Sequence, residues 1–200
     1  MESMAAYYEA RAREYDDWYE GTGRFEGRDR PAWRESLVEL ADALGALPPA
    51  VTLDVACGTG YATRWLPGEL TGLDQSAGVL EVARRRLPGA RFVQGDALAL
   101  PFVTGAFERV ATMSFYGHLE DGDRERFLAE ARRVSPELVV VDAALRDDVA
   151  PAEQQERVLN DGSRWTVFKR YFTAESLAAE LGGGDVLYDG HWFVAVRSPR

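Results

Sequence analysis

The sequence predicts an α/β protein built on a mainly parallel sheet. Short apolar runs alternate with segments of helical period between about positions 51 and 145. One of those runs ends in a glycine turn, Gly58-Thr59-Gly60. The chain closes on two short runs flanking Asp189-Gly190, the signal of a hairpin. Strand–helix units followed by a hairpin give a parallel sheet with one antiparallel strand near its edge.

Met4, Tyr8, Ala12, Tyr15 and Tyr19 recur at helical spacing, so Met4 to Tyr19 is expected to be one amphipathic helix with an aromatic face. Gly21-Thr22-Gly23 ends it, and a polar loop follows to Arg30. Pro31 suits a first helical position. The stripe Trp33, Leu37, Leu40, Leu44 follows, stopped by Gly45 and Pro48-Pro49.

Val51 to Ala56 reads as a buried strand and Tyr61 to Leu66 as a helix closed by Pro67-Gly68. Leu70 to Leu73 is a second strand ending at Asp74, and Ser76 caps a helix carrying Val79, Leu80, Ala83 and Leu87. Arg91 to Gln94 and Phe107 to Phe115 are the third and fourth strands, Asp123 to Val134 a helix, and Glu137 to Leu145 the most strand-like run. Arg146 to Ser163 is polar and irregular, with a short helix expected around Glu153 to Leu159. Trp165 to Tyr171 is read as a strand or extended segment. Thr173 caps a helix to Leu181, before terminal strands Val186 to Tyr188 and Trp192 to Val196.

The 200 residues suit one domain: a helical cap over 1–46, a ligand-binding core over 51–145, and a variable segment, last helix and hairpin over 146–200. With 46% hydrophobic and 28% charged residues, the composition is that of a soluble globular protein, and no apolar run approaches the ~20 residues a membrane span needs. Acidic Glu2 and Glu9 and the lack of an apolar leader argue against secretion. A single cysteine, Cys57, fits a reducing, cytoplasmic setting. A net charge of −10 argues against a nucleic acid as main partner.

Leu53-Asp54-Val55-Ala56-Cys57-Gly58-Thr59-Gly60 is the most informative stretch. Glycines at a strand's carboxyl end let a ligand approach the backbone, and open α/β sheets bind ligands at that edge. Twenty positions after Asp54, Asp74 ends the second strand, where a carboxylate can accept from both hydroxyls of a ribose. A glycine turn with a later acid signals a nucleoside ligand; a structural turn with a solvated acid is the alternative. Thr63 stands where the dinucleotide fingerprint wants Gly or Ala, which weakens an NAD reading.

Leu53 to Gly60 resembles the first motif of class I S-adenosylmethionine-dependent methyltransferases. Thr71-Gly72-Leu73-Asp74-Gln75-Ser76, Gln94-Gly95-Asp96-Ala97, Leu98 to Phe102 and Phe107 to Val110 are similar to the family's later motifs, in order, across 51–141. Glu108 departs from the Asp usual there. The resemblance implies a Rossmann-like three-layer sandwich whose seven-stranded sheet is mostly parallel. It implies S-adenosyl-L-methionine as cofactor, S-adenosyl-L-homocysteine as product, and a small-molecule acceptor. By the same resemblance Asp54, Ala56 and Gly58, with Gly60 in the loop, meet the methionine part. Asp74 holds the ribose, Gln75 packs beside the adenine, Asp96 and Ala97 read the adenine edge, and Met113 and Ser114 pass under the sulfonium.

His118, just past the fourth strand, is the candidate base or acceptor ligand; a loop residue bonded to backbone is the alternative. His191 is read as structural. No metal site is expected, and Asp121 to Asp123 read as helix capping. In the family the segment before the first strand often forms a lid, which implies that Tyr8, Tyr15, Trp18 and Tyr19 close the site and that Tyr15 touches the cofactor's carboxylate. Lys169-Arg170 read as a solvated pair, with reception of an anionic acceptor as the alternative. Arg84-Arg85-Arg86 and Arg132-Arg133 are expected on helix exteriors away from the motif edge. The chain is expected to act as a monomer or homodimer. The rival readings are a cofactor-binding protein of the same fold without methyl transfer, cyclase-like or regulatory, and a protein or RNA methyltransferase.

Overall fold

A computed structural model describes residues 4–199. Its elements are α1 (Met4–Arg11), α2 (Asp17–Glu20), α3 (Trp33–Gly45), β1 (Ala50–Val55), β2 (Gly68–Asp74), α4 (Ala77–Arg86), β3 (Arg91–Gln94), β4 (Arg109–Met113) and α5 (Asp121–Val134). They continue with β5 (Leu138–Ala143), β6 (Ala152–Val158), β7 (Arg164–Arg170), α6 (Ala174–Glu180), β8 (Asp185–Asp189) and β9 (Phe193–Arg197).

Seven strands form one sheet in the order β3-β2-β1-β4-β5-β9-β8. β9 runs antiparallel to β5 and to β8, so the reversed strand lies next to the edge. The crossover falls between β1 and β4, and at such a switch point the carboxyl ends of neighbouring strands part to leave a crevice.

The residues of β5 and β9 alternate between two cores. Leu138, Val140, Val194 and Val196 pack with Phe127, Ala131 and Val134 of α5 and Leu177 of α6. Val139, Val141, Phe193 and Ala195 pack with Trp33, Leu37, Leu40 and Leu44 of α3. A strand buried on both faces has no polar row, and two covered faces make three layers. The class and topology are therefore those expected.

Three elements differ from expectation. The first helix breaks after Arg11 into a 3₁₀ turn, Ala12–Glu14, and then α2. Its acids are drawn to other parts of the chain: Glu9 accepts from Ser76 Oγ (2.6 Å) and Gly78 N (3.2 Å), and Asp16 from Thr59 Oγ1 (2.5 Å) and Arg86. Tyr61 to Leu66 holds only the 3₁₀ turn Thr63–Trp65, because Pro67 forces Leu66 into the extended region before an α-helix can grow. The helix expected near Glu153 is instead β6, paired antiparallel with β7 in a separate two-stranded sheet. Its inward row is Glu153, Gln155 and Arg157, so the alternation is real but not apolar, and apolar periodicity cannot reveal it.

Candidate active site

The carboxyl ends of β1, β2 and β4 meet at the crevice. Two non-glycine residues there adopt left-handed backbone, Ala56 after β1 (φ 57°) and Ser114 after β4 (φ 56°). Such strain persists where the surroundings fix it, and it clusters at functional sites. Gly58 (φ 54°) lies under the Tyr15 ring, and a Cβ on it would stand 2.7 Å from that ring, so only glycine fits.

Asp74 ends β2 and ties the loop down. Its Oδ2 accepts from Gly58 N (2.9 Å) and its Oδ1 from Ser76 N (3.0 Å). Desolvation pushes its pKa up, against the lowering effect of those two bonds. A carboxylate has about four lone-pair sites, so two stay available for hydroxyl donors.

Asp54 is 1% exposed on β1. Its Oδ2 accepts from Thr63 Oγ1 (2.5 Å), whereas its Oδ1 is buried without a hydrogen-bond partner among the described residues. Burial pushes its pKa up to about 7, with the Thr63 bond opposing and the Asp74 charge adding. A buried acceptor left unmatched is expensive, and an ammonium group would repay that cost. Thr63, the residue that breaks the dinucleotide fingerprint, is thus the partner of the first acid.

Two adjoining cavities open from this edge. The larger, of about 180 Å³, is walled by Tyr8, Tyr15, Ala56, Asp74, Gln75, Asp96, Ala97, Ser114, Phe115 and His118, among others. The smaller has Asp54, Tyr19, Tyr61 and Met113 in its wall. Tyr15 and Ala56 line both and mark the boundary between them. Of the residues named from the sequence for the cofactor, all but Gly58 and Gly60 lie on one or the other, as does His118. Gly58 sits under Tyr15, and Gly60 (φ 72°) packs towards Leu87 and Ala83, a place for helix contact rather than ligand contact.

His118 sits in the 3₁₀ turn Tyr116–His118 after β4. Its Nδ1 lies 2.7 Å from Phe168 O on β7. A carbonyl only accepts, so Nδ1 carries the hydrogen and the lone pair is on Nε2. Desolvation, then the charges of Lys169 and Arg157, hold its pKa well below the usual histidine range, so the ring is neutral. Beneath the turn, Asp142 Oδ2 accepts from Gly117 N (2.7 Å) and Oδ1 pairs with Lys169. One buried ion pair joins β5, β7 and the histidine turn.

Lys169 is 5% exposed, so the solvated pair expected of Lys169-Arg170 is corrected: Lys169 is bound to Asp142 and Arg170 to Asp121 and Glu180. Arg86 is likewise not remote from the motif edge, since it donates to Thr59 O (2.8 Å) and pairs with Asp16. Asp121 and Asp123 lie in the first turn of α5, whose N-cap is Glu120 with no side-chain capping bond. Trp18 packs edge-on against Trp33 (4.6 Å) inside the second core, away from both cavities. Tyr61, stacked on Tyr19 at 4.3 Å, was missed by sequence reasoning; it follows the glycine turn, but only the fold brings it to α2.

A family model described as "Methyltransferase domain" matches residues 52–136. Residues 52–136 are thus a methyltransferase domain of the class I, S-adenosylmethionine-dependent type. A demethylmenaquinone methyltransferase of Thermotoga maritima is 41% identical over 107 residues, covering 51% of this chain and 44% of that protein. The Renibacterium salmoninarum enzyme of the same name is 43% identical over 108 residues, covering 52% and 43%. The chain thus spans less than half the length of these two relatives. A solved DhpI–SAH complex is 26% identical, with a TM-score of 0.72, over 100% of this chain and 97% of that one. A DhpI–SAM–HEP complex (TM-score 0.75, 24% identity) shares the fold along its whole length. The matched residues hold β1 to β4 and α5, whereas Tyr8, Tyr15 and Tyr19 of the cavity walls lie outside them.

Proposed function

We propose that the protein transfers a methyl group from S-adenosylmethionine to a small-molecule acceptor in the cytosol. The observation that carries the reading is the unmatched Oδ1 of Asp54, buried one cavity away from Asp74. An amino acid's ammonium fits the first acid and a ribose the second.

The chain's residues would divide the work. Asp54, held by Thr63, receives the amino group, and Tyr15 covers the carboxylate end above Gly58. Asp74 accepts from the ribose hydroxyls, while Gln75, Asp96 and Ala97 line the adenine end. The bound cofactor supplies an electrophilic methyl group on a sulfonium. Ser114 lines the larger cavity and Met113 the smaller, so the methyl would lie between these two neighbours. α1, α2 and the hairpin exclude water, and His118 Nε2 is free to accept a proton or a hydrogen bond from the acceptor.

A cavity of about 180 Å³ suits a metabolite better than a polymer. The relatives named for demethylmenaquinone match about half of this chain, and Tyr8, Tyr15 and Tyr19 over the cavities lie outside the family match. Their acceptor is therefore not carried over. No helix is long and apolar enough to cross a membrane among the described residues.

The test is turnover of labelled cofactor against a panel of small acceptors, with His118→Ala alongside wild type. The expected result is product with at least one acceptor, and turnover reduced by about a hundredfold in the variant with S-adenosylhomocysteine affinity unchanged. Cofactor binding without transfer to any acceptor would favour the non-catalytic reading, and full turnover by His118→Ala would remove the histidine from the mechanism.

A further inference from the structure

Among the described residues, two cations beside the site, Arg11 and Arg157, make no ion pair, although Glu153 shares the inward row of β6 with Arg157. Arg11 ends α1, half-buried, with its guanidinium 5.0 Å from the Tyr15 ring centre and 5.9 Å from that of Tyr7. Arg157 lies on the inward row of β6, half-buried, opposite Trp165 of β7. Trp165 packs against Tyr7 at 5.8 Å, Tyr7 against Tyr8 at 5.0 Å, and Tyr8 faces His118 at 6.5 Å. One aromatic chain therefore links both cations to Tyr8 and His118 in the wall of the larger cavity, with the arginines themselves one layer behind its lining residues.

Neither has an ion-pair partner among the described residues. Arg11 donates weakly to Tyr7 Oη (3.4 Å), and Arg157 donates to the amide oxygen of Gln155. The third cation of the wall, Lys169, is matched by Asp142. Arg11 and Arg157 are also the cations whose charges act on both Tyr8 and His118. The acids on this cavity are Asp74 and Asp96, which border the cofactor, and Asp123. In a chain of net charge −10, two unmatched half-buried guanidiniums under one lid are a departure that a bound anion would explain.

We infer that the acceptor is an acid, a carboxylate or a phosphoryl compound, whose charge is received by Arg11 and Arg157 beside Tyr8 and His118. This rests on the methyltransferase reading for its site but names the acceptor's class independently. Tyr8, its phenol kept protonated by desolvation, can donate to the same anion. A neutral acceptor would leave the two half-buried guanidiniums behind this wall without a counter-charge.

The experiment is calorimetric titration of the full chain with inorganic phosphate and, separately, with malonate, both with and without saturating S-adenosylhomocysteine. Arg157→Gln and Arg11→Gln are titrated in parallel. The expected result is saturable binding of at least one acid, weakened tenfold or more in each variant, with S-adenosylhomocysteine affinity within twofold of wild type. Preference between the two acids tells phosphoryl from carboxylate. Absence of binding by both acids, or unchanged acid binding in both variants, overturns the proposal. Failure of S-adenosylhomocysteine to bind would instead strike the methyltransferase reading, and the titrations of the unloaded protein still decide the anion site.

Discussion

The two walls of the site are built in opposite ways. The cofactor edge is made from the ends of β1, β2 and β4, strands buried on both faces, and its acids are fixed by bonds to loop backbone and to Thr63. The facing wall is made from α1 and α2, backed by the β6–β7 hairpin, and these reach the core through side-chain contacts: Glu9 on α4, Asp16 on the glycine loop, and Lys169 on Asp142. The first wall is a consequence of the sheet. The second is attached to it at a few polar points, and so can be altered with the cofactor edge left intact.

Asp74→Ala should separate the walls most sharply. It removes an acceptor for both ribose hydroxyls and frees Gly58 N, so S-adenosylhomocysteine affinity should fall by roughly a hundredfold or more, about 3 kcal/mol. Circular dichroism should show the fold retained. Unchanged affinity would overturn the assignment of this edge.

Asp142→Asn attacks the other wall. Weakening a pair whose members are 0% and 6% exposed leaves Lys169 short of a counter-charge, at a cost of about 3 kcal/mol in urea denaturation. Turnover should drop as the histidine turn loosens, while cofactor affinity stays within a few fold. An equal loss of cofactor affinity would mean that the walls are not separable.

Asp54 ties pH to the cofactor edge alone. With its pKa raised to about 7, it is partly protonated in the free protein near neutrality. S-adenosylhomocysteine should therefore bind about tenfold less tightly at pH 6 than at pH 8, and Asp54→Asn should bind weakly with that dependence gone. The stability sign is opposite. The folded state holds a proton that the unfolded chain releases near pH 4, so the free protein loses stability from about pH 4 to 7, and Asp54→Asn should flatten that decline.

The smallest effect belongs to the latch. Glu9→Gln weakens an exposed contact between α1 and the start of α4, so stability should change by under ~1 kcal/mol. The expected signature is a several-fold faster dissociation of S-adenosylhomocysteine in stopped flow. An unchanged rate would mean that α1 does not gate the site.

What the sequence disclosed follows the same division. The strand runs from Val51 to Val141 are apolar because both faces are covered, and Gly58, Asp54 and Asp74 sit at fixed places relative to them, so class, topology and both acids were legible. The hairpin was not. Its half-buried row of Glu153, Gln155 and Arg157 is polar, which erases the apolar alternation that marks a strand. The break in the first helix was hidden for a related reason: Glu9 and Asp16 look solvated until the fold brings Ser76, Thr59 and Arg86 to them. Lys169 looked exposed beside Arg170 because nothing local marks Asp142, 27 positions earlier, as its partner.

The central claim, that this edge binds the methyl donor, is tested most directly by calorimetric titration of the purified chain with S-adenosylhomocysteine, with NAD as the control. The account predicts saturable binding of the former and none of the latter. Binding of NAD alone, or of neither at pH 8, where the Asp54 carboxylate is ionised, would contradict it.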